Sequence, residues 1–132
     1  MEGRLFNPDP ASYLPHRFPF LMLDRLLALE PGVSARAVRR VTNCPEGFPQ
    51  VLLLECIAQL AGIVSVGEEG QGGFLAFIDH AEFSGPVCAG DVLDISARII
   101  KSFGRLVMVE GMVTCKDRQL ARARMTLGVG ML

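Results

Sequence analysis

The chain has 132 residues, of which half are hydrophobic and a fifth are charged. This composition excludes a disordered chain and indicates a single globular domain over residues 1–132. With 13 basic and 14 acidic residues, the formal net charge of −1 provides no global field that would favour nucleic acid or an anionic membrane as a partner.

The N-terminal third of the chain alternates turn signals with short apolar segments. Residues 1–17 predict a short helical or irregular lead-in and open no signal peptide, so a cytoplasmic location is expected. An apolar stretch from Phe20 to Leu29 leads to a turn at Pro31–Gly32, and the alternation from Val33 to Val41 predicts a returning strand. Residues 43–49, with two prolines and a glycine, predict a loop.

A helix is predicted from about Gln50 to Val66. Pro49 suits its start, where the missing N–H costs nothing, and Gly67 with the Gly70–Gly73 stretch suits its end. Because apolar residues occur on all its faces, the helix should be enclosed within the protein. The apolar run is too short and too interrupted to span a membrane, which needs roughly 20 apolar residues, so no membrane partner is expected.

Glu55 is the single carboxylate in this apolar run, where Gln59 and Ser65 are its only polar companions. Removing an ionised carboxylate from water is costly, because its lost hydration must be replaced. We therefore predict a functional role for Glu55. The alternative is a structural carboxylate bonded to Gln59, to His16 or to an arginine.

Four strand-like runs follow the helix, over residues 74–78, 92–101, 106–116 and 119–129. Short turns at residues 102–104 and 116–117 make the last three an antiparallel meander. One long buried helix wrapped by a curved antiparallel sheet is the hot-dog fold, of the α+β class. Since one sheet alone cannot cover so apolar a helix, a homodimer is expected, with a higher oligomer or a heterodimer with a paralogue as alternatives.

The cysteines and the basic residues carry weaker signals. Cys44, Cys56, Cys88 and Cys115 lack the spacing of a metal site or a redox pair, so we expect free thiols, no metal and no cofactor.

The basic residues form two clusters in the sequence, one of arginines at 36, 39 and 40 and one between residues 116 and 124. We interpret these clusters either as solvated strand faces or as a docking surface for an acidic partner.

Three segments resemble one known family. Residues 14–25, Leu-Pro-His-Arg-Phe-Pro-Phe-Leu-Met-Leu-Asp-Arg, closely resemble the opening motif of the FabZ-type (3R)-hydroxyacyl-acyl-carrier-protein dehydratases. Residues 49–59, Pro-Gln-Val-Leu-Leu-Leu-Glu-Cys-Ile-Ala-Gln, are similar to that family's central helix, which bears a catalytic acid and then Ala-Gln. Matches to its third strand and the following turn are Phe77–Asp79, Phe83, Pro86–Val87 and Gly90–Asp91. The resemblance implies the hot-dog fold and a dehydratase-like activity on acyl chains carried by acyl carrier protein or coenzyme A, in fatty-acid or polyketide metabolism.

The chain departs from the family ahead of the helix. The family carries His-Phe-Pro-Gly in that loop, and its histidine is the catalytic base. Here residues 42–48 are shorter and contain no histidine, and Gln50 stands where the family usually has glycine. The chain's only histidines are His16, within the opening motif, and His80, directly after the third-strand motif.

Dehydration of a 3-hydroxyacyl thioester needs a base for the C2 proton, stabilisation of enolate charge and an acid for the leaving hydroxyl. We predict Glu55 as one catalytic group, acting with an imidazole from His16, with one from His80 across a dimer in which third strands pair, or alone. The alternatives are a packed or capping His16 and a surface His80. Backbone amides at the N-terminus of the helix can polarise the thioester carbonyl. Residues on the same helix face as Glu55 are expected to border a tunnel for the acyl chain. These considerations predict four substrate-binding residues: Gln50, Val51, Gln59 and Gly62.

Three functions follow from these residues. The first is a dehydratase with rearranged catalysis. The second is a non-catalytic dehydratase-like subunit that binds acyl chains or pairs with an active paralogue. The third is a hot-dog acyl thioesterase, in which the helix carboxylate activates water or attacks the thioester; that class does not normally carry the opening motif.

Overall fold

The computed structural model describes residues 6–42, 47–65 and 71–131. Within these ranges a 3₁₀ turn, Pro10–Ser12, precedes one helix and six strands. In chain order they are β1 (Arg25–Glu30), β2 (Ser34–Arg40), α1 (Val51–Ser65), β3 (Gln71–Phe83), β4 (Val92–Phe103), β5 (Leu106–Cys115) and β6 (Arg118–Met131). All neighbouring strands are antiparallel, in the order β1-β2-β4-β5-β6-β3, so β1 and β3 are the edges.

The core lies between α1 and the concave face of the sheet. The helix buries a stripe at helical spacing, formed by Leu53, Ile57, Leu60 and Val64. Burial in β5 alternates strictly, as a strand with one covered face requires. Full burial of each large apolar side chain contributes roughly 1.5–3 kcal/mol. Among the described helices, none is long and apolar enough to cross a membrane.

Gly111 in β5 lies against the helix where there is no room for a side chain, since a Cβ there would overlap the side chain of Ile57. We expect Gly111→Ala to lower the free energy of unfolding by about 1–3 kcal/mol, because overpacking strains a dense core. Urea denaturation measures this change. Gly130→Ala is the matched control, because a Cβ at Gly130 has no neighbour within 4 Å; equal stability of the two variants would contradict the assignment.

The predicted α+β architecture and meander are confirmed, and the third strand differs most from prediction. β3 begins at Gln71, so Gly72 and Gly73, predicted to end the helix, lie within a strand. They pair with Gly130 and Val129 of β6. Strand pairing overrides the low β propensity of glycine here. The other predicted helix-ending glycines, Gly67 and Gly70, and most of the predicted 43–49 loop lie outside the described residues.

The predicted enclosure of the helix holds for its C-terminal part, where the sheet and the opening motif bury every residue from Cys56 to Val64 except Ala58. One face of its N-terminal part stays open. Val51 is 62% exposed, and the side chain of Glu55 is 41% exposed. Next to this open face, the edge strand β3 exposes a run of large apolar side chains: Phe74, Leu75, Phe77 and Ile78. A long, apolar edge strand is a surface that pairs readily with another strand.

Most of the predicted basic groups are engaged within the chain. On the face away from α1, Glu110 lies 2.8 Å from Arg98, 3.1 Å from Arg122 and 3.7 Å from Arg124. Hydrogen bonds and charge from Arg122 and Arg98 hold the pKa of Glu110 below its ordinary value. Arg36 pairs with Asp94 at 2.7 Å, and Arg39 stacks on Phe48, with 5.5 Å between guanidinium carbon and ring centre. These arginines therefore have partners within the chain, although as half-exposed ion pairs they contribute little to its stability.

Candidate active site

The opening motif folds over α1 as a tight turn. The Phe20 and Leu21 amides donate to the Arg17 carbonyl at 2.7 and 3.1 Å. The Arg17 guanidinium in turn donates to the carbonyls of Leu14 and His16, each at 2.7 Å. These contacts hold the His16 backbone beside the helix.

Gln59 attaches this turn to the helix. Its Oε1 accepts from the Met22 amide and its Nε2 donates to the Phe20 carbonyl, both at 2.8 Å. The same Nε2 donates to Glu55 Oε2, also at 2.8 Å. Because Glu55 precedes Gln59 by four residues, helical spacing puts both on one face, and the attached turn brings His16 to that face.

His16 and Glu55 face each other, with 3.7 Å between His16 Nε2 and Glu55 Oε2. Both side chains are partly exposed, whereas His16 Nδ1 is buried and has no hydrogen-bond partner among the described residues. Of the two ring nitrogens, Nε2 is the one that faces Glu55. This pair comes from one chain and joins residues 39 positions apart in sequence.

Two cavities, of about 220 and 530 Å³, meet at this pair. His16, Glu55 and Leu75 line both of them. The smaller cavity continues along Gln59 and Gly62 towards β3 and β6, and the larger one runs past Val51 and the start of α1. Apolar walls around one polar pair are the usual composition of a small-molecule site.

The structure thus brings together five of the predicted site residues: His16, Val51, Glu55, Gln59 and Gly62. Gln50 lines neither of these cavities, and its side chain donates to the Gly85 carbonyl at 2.9 Å. His80 pairs with Glu82 at 2.7 Å and lines a different pocket with Glu110. Within one chain His80 therefore lies on the sheet face opposite to Glu55.

Leu75 was missed by sequence reasoning, although it forms a wall of both cavities. In the sequence, Leu75 is only one of several apolar residues in the strand predicted over residues 74–78, and nothing distinguishes it from its neighbours. Which apolar residue of a strand meets a helix carboxylate depends on register, and β3 contains bulges between Leu75 and Phe77 and between Ile78 and His80.

Cys56 lies directly beside Glu55 in sequence but is not a nucleophile. It is fully buried, and this burial raises the pKa of its thiol to about 12. Cys88 and Cys115 are also free thiols, and Cys44 is outside the described residues. In the described part of the chain, no group of three His, Cys, Asp or Glu side chains converges in a metal-binding arrangement.

The candidate site is thus a carboxylate and an imidazole between two largely apolar cavities. No protein-family model matches the chain. A 3-hydroxyacyl-[acyl-carrier-protein] dehydratase FabZ from Pectobacterium atrosepticum is 39% identical, over 84% of this chain and 87% of the relative. FabZ from Escherichia coli is 40% identical, over 84% of this chain and 88% of the relative.

Among solved structures, the dehydratase heterocomplex ApeI:P from Xenorhabdus doucetiae matches with a TM-score of 0.77 at 18% identity, covering 94% of this chain and 91% of that chain. At such low identity this likeness shows the fold alone, and it confirms the predicted hot-dog fold. The curated relatives show more: the chain belongs to the FabZ family of 3-hydroxyacyl-[acyl-carrier-protein] dehydratases. The predicted dehydratase-like character, of the hydro-lyase class, is thereby confirmed.

Proposed function

We propose that this chain dehydrates (3R)-3-hydroxyacyl thioesters carried by acyl carrier protein or coenzyme A, in the cytoplasm, with Glu55 and His16 of the same chain as its proton-transfer pair. The observation that carries the proposal is the distance of 3.7 Å between His16 Nε2 and Glu55 Oε2. Catalytic hydrogen bonds are often long before substrate binds, so this separation suits a general acid–base pair.

The proposed reaction transfers one proton and breaks one carbon–oxygen bond. His16 Nε2 takes the C2 proton, and the Glu55 carboxylate stabilises the imidazolium that forms. The electrons of the C2–H bond form the C2–C3 double bond as the C3–O bond breaks. The proton passes to the departing hydroxyl, directly or through Glu55, and the products are water and a 2-enoyl thioester. The cavities supply room for the acyl chain on one side and for the thioester arm on the other.

A second copy of the chain is part of the proposal. The exposed apolar side chains of β3 and the open face of α1 adjoin the larger cavity, since Ile78 and Val51 both line it. A β3 strand of another copy, paired along this edge, would cover both and close the cavity from water.

The test compares the two histidines. Purified wild type should dehydrate 3-hydroxybutyryl thioesters, and His16→Asn should lower the rate by about 10²–10⁴-fold, because asparagine cannot carry the proton. His80→Asn is the matched control and should leave the rate unchanged, since His80 faces Glu82.

Three outcomes would contradict the proposal. Loss of activity in His80→Asn but not in His16→Asn would transfer the role to His80 of a second chain. Release of free thiol without an enoyl product would indicate a thioesterase. An inactive wild type that gains activity only when mixed with a FabZ-family paralogue would indicate a non-catalytic subunit.

A further inference from the structure

Gln59 is the most completely engaged polar side chain of the site. It is only 2% exposed, and it makes the three hydrogen bonds, each of 2.8 Å, to Met22, Phe20 and Glu55. Both hydrogens of its Nε2 are thus used within the chain.

The surrounding backbone determines which way the Gln59 carboxamide points. The Met22 amide is only a donor, so the atom that faces it must be the carboxamide oxygen. The Phe20 carbonyl is only an acceptor, so the atom that faces it must be the nitrogen. Rotating the carboxamide by 180° would break both hydrogen bonds and leave the buried Met22 amide without its partner.

The fixed orientation of the Gln59 carboxamide determines which hydrogen bond Glu55 makes. The second N–H of Gln59 points at Glu55 Oε2, which must accept it. This hydrogen bond restricts the rotation of the carboxylate. The same Oε2 atom is the one that faces His16 Nε2. The apolar side chain of Leu75, in β3, lines the smaller cavity together with His16 and Glu55.

We propose that Gln59 is a positioning residue: backbone contacts of the opening motif orient its carboxamide, which holds the Glu55 carboxylate in the orientation that faces His16. The opening motif thereby acts on both members of the pair, since it carries His16 and orients the group that holds Glu55. This inference rests on the proposed catalytic role of Glu55.

A double-mutant cycle in the dehydration assay tests it. Gln59→Met removes the donor at similar length, and kcat should fall roughly 10–100-fold, the usual effect of losing a hydrogen bond to a charged group, with KM almost unchanged. In a Glu55→Gln background the same change should lower kcat no further, because Gln59 acts through Glu55. A rise in KM at constant kcat, or equal losses in both backgrounds, would overturn the proposal.

A second measurement does not depend on activity or on the folding of Gln59→Met. In nitrogen-15 NMR spectra, Glu55→Ala should shift the Gln59 side-chain proton that faces residue 55 and leave the proton that faces Phe20 in place. The Gln50 side chain, which donates to Gly85, serves as the internal control and should not move. Unchanged or equally shifted Gln59 protons would overturn the positioning role, whereas an inactive wild type with the expected shift would refute only the proposed dehydration.

Discussion

Glu55→Gln is expected to lower dehydration of a 3-hydroxyacyl thioester by about 10²–10⁴-fold, the usual cost of losing a general acid or base. Glutamine has nearly the same shape and keeps an oxygen that accepts from Gln59, so the fold should persist. It has no negative charge to stabilise an imidazolium on His16, 3.7 Å away. Steady-state rates in both directions, including hydration of a crotonyl thioester, measure the loss.

Glu82→Gln is the matched control for this change. Glu82 also faces a histidine, with 2.7 Å between its Oε2 and His80 Nε2, but on the opposite face of the sheet. Its substitution should leave the rates unchanged. Equal rates in wild type and Glu55→Gln would show that Glu55 is structural and that its contacts with Gln59 and His16 only fasten the opening motif to the helix.

Phe77→Lys is expected to dissociate the proposed dimer. Phe77 is 51% exposed on the edge strand β3. In a symmetric contact the substitution occurs in both copies, so two apolar contacts are lost and like charges are brought together. Because dimerisation can bury only the exposed half of each Phe77 side chain, the two lost contacts correspond to a rise of about 10–100-fold in the dimer Kd. Analytical ultracentrifugation measures this constant, and activity should fall in parallel as the cavity opens.

Phe103→Lys provides a control with the same initial exposure, since Phe103 is also 51% exposed but lies at the end of β4. It should leave the dimer constant unchanged. A wild-type chain that sediments as a monomer, or a Phe77→Lys variant that remains dimeric, would show that β3 does not form the interface. A wild-type monomer that associates only with a FabZ-family paralogue would favour a heterodimer.

Local patterns were sufficient for most of the architecture. The helix, the closing meander and the opening motif each lie within a short continuous segment, where residue periodicity and turn residues determine the element. The spacing of Glu55, Gln59 and Gly62 likewise predicted that they lie together, because residues three or four apart share one helix face. The β3 strand was underestimated because its glycines, read locally, favour a turn over a strand.

The sequence by itself determined that one carboxylate would lie in an apolar helix, and it identified the family. The tertiary structure alone decided which histidine meets that carboxylate. His16 is brought to Glu55 because Gln59 binds the Phe20 and Met22 backbone groups, whereas strand pairing places His80 beside Glu82 on the other face. Both outcomes depend on contacts between residues distant in sequence, which neither periodicity nor spacing encodes.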